Sequence, residues 1–510
     1  MEPGSVSPTG RAGGLLAWAR VPRRPFESRW WLAFAGIPVL VTQLTWQLTA
    51  GNISSSWFLG WLVVTASVLT QALIGACAEF SLARFDLAAV FATGYAVMVL
   101  LGTPTIFAAQ LDAEPTVAYT FLAATALAPV LTLAGLVAFR YLGSPRRRIT
   151  VDRVTADSSV TRTALWALFV VCVGCLLLYL GVVGSVPLVG ALRGDDPGSL
   201  LAQRQEALRE LGESLPVYAF SFVRTYGFPF LAAATLVRFR SDRRLSTLLL
   251  LIGSIGLGLF TAMATLEKSP AARFVVVLAV AWYSSSRRIR IRSLVPVFIV
   301  ALAFPYFATR ATSGEGNTVG SLSSAIAKRV FISPAEVVYN YFEWAPRHSG
   351  GFLWGRSLPF VSKVAPGGTY DLPAAVYRFM FPDNAGLSGS ANGAFHATAW
   401  AEGGWLGVVG TCLFLGCALA ILQTLIDNIS IPGLREGLLA VFASQAVVLN
   451  STSIFDSILS GPFGALDLVL FVGVVAVVRS LHVRTVWRVD APGGRRTPGH
   501  LPGTAVLGGS

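Results

Sequence analysis

The chain has 510 residues, 54% of them hydrophobic and 13% charged, with a mean hydropathy of +0.64. Ordinary soluble domains carry about twice that share of charge, so a soluble enzyme or binding module is excluded. The formal charge of +13 does not point to nucleic acid: the arginines cluster between apolar runs, as loops facing anionic lipid do.

Residues 1–28 are rich in Gly, Pro, Ser and Arg and read as a disordered tail. The first apolar run is too long and wrongly flanked for a cleaved signal peptide. The fold expected is an all-α polytopic membrane protein with about twelve spans over 29–484. The runs lie near 31–49, 57–78, 87–108, 116–139, 163–184, 215–237, 245–266, 271–284, 293–308, 396–425, 436–450 and 461–479. About twenty apolar residues cross the hydrocarbon layer as a helix, so the eighth and eleventh runs are short. A second disordered tail is expected over 485–510.

Basic loops stay in the cytoplasm. With both termini inside, about two-thirds of the 39 Lys and Arg fall on the inner side, including Arg146 to Arg148 and the clusters at 238–244 and 287–292. This topology implies a multi-pass membrane protein with membrane lipids as neighbours. All five cysteines fall in predicted spans, and Cys172 and Cys175 lack a second pair for a metal site. No phosphate-binding loop, dinucleotide glycine pattern or zinc motif occurs, so no cofactor and no metal are expected.

Two outer loops break the apolar pattern. In the loop at 185–214, apolar residues at 200, 201, 208 and 211 predict a short interfacial helix. The loop at 309–394 carries five arginines among twelve Tyr, Phe and Trp. Within it, Ser333-Pro334-Ala335-Glu336 has the order of a cap, a first-turn proline and a capping-box glutamate. A second helix is expected to start at Asp371, and the Gly-rich stretches at 349–356 and 385–393 read as turns.

Arginines on the side that topology leaves poor in positive charge are candidates for phosphate, which guanidinium grips in a two-pronged fork. Their other reading is pairing with the loop's own Glu315, Glu336, Glu343, Asp371 and Asp383. Arg224 lies about nine residues into the sixth span, where a charge costs roughly 2.5–3.5 kcal/mol unless it faces a polar cavity or snorkels outward. His396 opens the tenth span and shares a helical face with Trp400, Gly403 and Gly407. It reads either as a general base or as a packing histidine. On a continuous helix Glu402 lies about 240° round from His396, so both cannot address one atom. Glu402 reads as structural, for instance as partner to an arginine.

Four short segments stand out: Gly184-Ser-Val-Pro-Leu188 followed by Ala202-Gln-Arg204, then Lys268-Ser-Pro-Ala-Ala-Arg273, Phe352-Leu-Trp-Gly-Arg356, and Asn392-Gly393 through Glu402-Gly-Gly-Trp-Leu-Gly407. Together they resemble the bacterial O-antigen (Wzy-type) polymerases of oligosaccharide repeat units. The plan of about twelve spans with one long Arg-rich outer loop is similar too. The resemblance implies metal-independent transfer of a growing glycan from polyprenyl diphosphate onto another lipid-linked repeat unit. It implies diphosphate contacts from Arg204, Arg273, Arg329, Arg356 and Arg378, to which Arg224 is added by its place inside the sixth span. His396 or Glu343 would take the acceptor's proton, with Glu402 as a further acid, and Tyr341, Trp344 and Trp354 would stack on sugar rings. A flippase and a chain-length regulator are implied partners. A ligase moving finished glycan and a transporter of lipid-linked saccharide remain the alternatives.

Overall fold

The computed structural model describes residues 54–78, 85–143, 159–196, 214–285, 328–358, 370–384, 389–429, 431–454 and 467–478, with isolated positions between them. All regular structure among these is helical. In chain order the helices are α1 Ser55–Cys77, α2 Leu87–Gln110, α3 Pro115–Gly143, α4 Ser159–Leu180, the short α5 Pro187–Arg193, α6 Leu215–Ser241 and α7 Leu245–Met263. They continue with α8 Lys268–Ser284, α9 Ser333–Trp344, α10 Leu372–Met380, α11 Phe395–Asp427, α12 Leu434–Val448 and α13 Asp467–Val478.

Seven of them, α1, α2, α3, α4, α6, α7 and α11, are long and apolar enough to cross a bilayer. Helices α8 and α13 are apolar but shorter, and α12 has 15 residues. The spans expected at 31–49 and 293–308 lie outside the described residues, apart from positions 31 and 34–36. So does most of the interfacial helix expected over 200–211.

The outward faces explain why so greasy a chain folds this way. On α1, Phe58, Leu62, Leu69 and Leu73 are exposed, and on α4 so are Val170, Val171, Leu177 and Leu178, each set on one helical stripe. Polar residues go inward: Gln71, Thr125, Ser254 and Asn450 are buried. Apolar outside and polar inside is the arrangement a hydrocarbon solvent selects. Helices α3 and α11 cross closely because glycines meet there. A Cβ on Gly135 would lie 2.7 Å from the Leu413 carbonyl, and Gly416 faces the backbone of Thr132 and Leu136.

Three helices carry or follow a π turn: Ala96–Leu100 within α2, Val223–Gly227 within α6, and Lys328–Ile332 leading into α9. The last corrects the expected cap. Helix α9 begins at Ser333, but Ser333 makes no capping bond, because the chain already winds through the preceding turn. At α10 the expectation holds, and the Asp371 carboxylate accepts the Ala374 N–H at 3.1 Å.

Helix α11 is not continuous, contrary to expectation. Gly403 (φ −155°, ψ 26°) and Gly404 (φ 57°, ψ −138°) interrupt it, and Gly404 holds a left-handed conformation that L residues rarely adopt. Loop and break hold each other: Leu353 N–H donates to Ala401 O at 3.0 Å and Trp354 N–H to Glu402 O at 2.9 Å.

Candidate functional site

Helices α4 and α6 run antiparallel, and Tyr179 near the end of α4 stacks on Phe220 near the start of α6 at 3.9 Å. That side also holds the start of α8 and the end of α12. About 14 Å in from the start of α6, and about 8 Å in from the start of α8, lie Arg224 and Arg273. Both line one narrow cleft of about 30 Å³, together with Pro229, Pro270, Phe274, Ser444 and Gln445. Distant segments thus bring Arg224, the arginine expected inside a span, together with Arg273, expected at the edge of one.

Arg224 sits in the π turn of α6, where an extra residue per turn widens the backbone. Its Nη1 donates to Glu267 Oε2 at 2.6 Å and to Thr265 Oγ1 at 3.1 Å, and its guanidinium lies 5.5 Å from the Phe220 ring centre. The pair is mostly shielded, with side chains 17% and 26% exposed. Arg224 Nε is buried with no partner, so this cation keeps an unused donor. Two guanidiniums against one carboxylate leave the cleft net positive. Guanidinium donors of this kind suit phosphate or carboxylate oxygens.

Glu267 was missed by the sequence reading. The signal lay in its position next to Lys268 and six residues before Arg273, where an acid and two bases share a helix start.

The other predicted arginines are spread apart. Arg329 is exposed on the π turn before α9, and Arg378 is exposed on α10, its Nε 3.4 Å from Ala374 O. Arg356 is half-buried, donates from Nε to Gly368 O at 3.3 Å, and lies 5.5 Å from the Tyr370 ring centre. Arg204 lies outside the described residues.

His396 is fully buried. The Tyr95 hydroxyl is 3.3 Å from both ring nitrogens, and Thr125 Oγ1 is 3.3 Å from Nε2. Tyr95 already donates to the Thr125 carbonyl at 2.9 Å, so the imidazole N–H is the donor between them. This is a packing histidine's position, one of the two readings the sequence left open.

Glu402 is buried at the α11 break and accepts from Gly355 N–H, from the Ser357 hydroxyl, and from Ser357 N–H at 3.1 Å. Its carboxylate therefore clamps the 353–357 turn of the long loop rather than an arginine. The clamp fixes Trp354, whose backbone takes φ 50° and whose side chain is 65% exposed.

Of the three rings expected to stack on sugar, only Trp354 presents a free face. Tyr341 and Trp344 are buried, and the Tyr341 hydroxyl donates to Ala391 O at 2.7 Å. Their rings serve packing because α9 lies as an inner layer against α3 and α11. Phe121 meets Tyr339 and Phe342 edge-on, and Phe342 stacks on Trp400 at 4.9 Å.

Glu343 lies on α9 near the turn at 111–114. Arg347 donates to Glu114 there at 2.7 Å, which ties the long loop to the end of α2. That bond holds the Glu114 carboxyl below its usual range. Burial first, and then the nearby Glu114 charge, push Glu343 up. Among the described residues no cluster of His, Cys, Asp and Glu has the makings of a metal site.

No family model, no curated protein and no solved structure matches the chain.

Proposed function

We propose that the protein is a membrane glycosyltransferase that joins polyprenyl-diphosphate-linked oligosaccharide repeat units on the outer face of a bacterial cytoplasmic membrane. The single observation that carries this reading is the convergence of Arg224 and Arg273 on one cleft, about 14 Å and 8 Å in from the starts of their helices. A sugar carried on a lipid diphosphate puts its two phosphates at that depth, with the polyprenyl chain in the bilayer and the saccharide above it. The attacking hydroxyl of the acceptor loses its proton to solvent as its oxygen forms the new glycosidic bond and the bond from the donor sugar to the diphosphate breaks. The leaving diphosphate keeps the electron pair, and preorganised guanidiniums stabilise its developing charge without a metal. The exposed, clamped Trp354 supports the same reading, since a rigid ring suits the face of a sugar.

Reconstitution tests it. Purified protein in liposomes, given a lipid-linked repeat unit and neither nucleotide nor metal, is expected to lengthen the glycan. Arg224→Leu and Arg273→Leu are expected to abolish lengthening. Movement of the unit across the bilayer with no new glycosidic bond would replace this reading with transport. Transfer to a different final acceptor would replace it with ligation.

A further inference from the structure

At the end of α6 remote from the cleft, on the side expected to face the cytoplasm, the corner at 240–245 sets three arginines around one acid. Arg240 Nη1 donates to Trp282 O at 2.9 Å and to Ser285 Oγ at 2.7 Å, and its guanidinium lies 4.3 Å from the Trp282 ring centre. The last turn of α6 is thereby latched to the last turn of α8, and Trp282 remains exposed beside it. Arg244 is exposed too, and its Nε bonds Asp242 Oδ1 at 3.0 Å. Arg243 is exposed and makes no hydrogen bond or ion pair among the described residues. Arg240 stands about 24 Å along α6 from Arg224, so the corner is no part of the cleft.

The start of α7 calls for an anion. Arg243 and Arg244 come directly before a 19-residue helix whose first turn holds no acid. The positive end of the helix dipole is there, and the first amides of a helix have no acceptor within it. Two cations against that end repel it, whereas one phosphate neutralises both and accepts from the amides. The apolar surface next to it calls for a lipid. Leu245, Leu249 and Ile252 are exposed at positions i, i+4 and i+7, a stripe that begins at the arginines and runs down α7. A free phosphate has no use for that stripe, but acyl chains lie along it, and tryptophan settles at headgroup level. We propose that this corner is a headgroup site for an anionic phospholipid. Arg243, Arg244 and the first amides of α7 hold the phosphate, the Arg240–Trp282 pair borders it, and the α7 stripe takes an acyl chain. The site is independent of the reaction proposed above.

Native mass spectrometry of the full chain released from detergent tests it. Phosphatidylglycerol and phosphatidylcholine with the same acyl chains are the probes, and glycerol 3-phosphate is the headgroup without its lipid. Phosphatidylglycerol is expected to be retained in preference to phosphatidylcholine. Arg243→Ala and Arg244→Ala are each expected to weaken its binding about fivefold. Arg162→Ala removes one arginine near the start of α4, expected on the same side, and should leave binding at the parent's level. Because Arg243 bonds nothing in the fold, its variant should unfold at the parent's temperature. The site is overturned if both lipids are retained equally, if Arg162→Ala weakens binding as much as Arg243→Ala, or if Arg243→Ala binds as the parent does. Displacement of the lipid by an equal concentration of glycerol 3-phosphate would also overturn it, by leaving the acyl chains no part in binding.

Discussion

Replacing Arg224 with leucine separates what the arginine does for the fold from what it does for a ligand. Exposed ion pairs contribute about 0–1 kcal/mol, and removing one partner of a fully buried pair costs about 3–5 kcal/mol. Arg224 and Glu267 stand between these limits, with side chains 17% and 26% exposed. Thr265 Oγ1 remains 3.3 Å from the Glu267 carboxylate, so the acid keeps one donor after the substitution. A destabilisation of about 1–3 kcal/mol is therefore expected, visible as a lowered unfolding temperature. For a bound diphosphate, losing one guanidinium removes charge-assisted bonds of about 1.5–3 kcal/mol, or roughly a tenfold to hundredfold loss of affinity. Pyrophosphate titration followed by phosphorus NMR in nanodiscs reads that loss directly. Glu267→Gln gives the complementary result: it removes the carboxylate that competes for Arg224, so pyrophosphate should bind more tightly. Parent-like affinity in Arg224→Leu, or weaker binding in Glu267→Gln, would refute the account of the cleft.

Glu343 titrates above its ordinary range, so its contribution to stability is present at low pH and is lost as pH rises through its raised folded value. Glu343→Gln should accordingly raise the unfolding temperature at pH 7 and leave it nearly unchanged at pH 4; the reverse order would contradict the assigned burial. Glu402→Ala strands the amides of Gly355 and Ser357, a loss of about 2–4 kcal/mol, and hydrogen exchange should show the 353–357 turn opening first. Trp354→Ala removes a ring that is mostly exposed, so stability should move by less than about 0.5 kcal/mol while glycan lengthening falls. Ser349→Cys, placed in a chain freed of its own cysteines, should react with a membrane-impermeant maleimide from outside intact cells; labelling only after lysis would invert the topology.

Much of the scaffold could be read from hydrophobic runs alone, because a bilayer imposes length and apolarity on every crossing helix. Long helices occur at most of the expected spans, and the starts of α9 and α10 fall where Pro334 and Asp371 announced them. Departures from regular helix could not be read the same way. Nothing in Val223-Arg-Thr-Tyr-Gly227 distinguishes a π turn from an α turn, and the break at Gly403 and Gly404 is set by the 353–357 turn packed against it. Burial within the long loop was equally hidden. Tyr341, Trp344 and Trp354 have the same chemistry in sequence, and only the docking of α9 onto α3 and α11 makes two of them core. Pairings failed for a simpler reason: Arg224 and Glu267 stand 43 residues apart, and Arg347 is far from Glu114 in the chain, so no local pattern links them.

The widened turn of α6 has a genetic corollary. Such a turn holds one residue more than its neighbours, so losing a single codon between 223 and 227 would let the helix wind regularly again. The helix on either side would keep its register, because the extra residue is what the wide turn absorbs, and only the side chains of the turn itself would be re-aimed. Helix α6 could end up better wound while the Arg224 fork turned away from Arg273. A one-residue gap there would thus mark a descendant that kept the architecture and abandoned the anion.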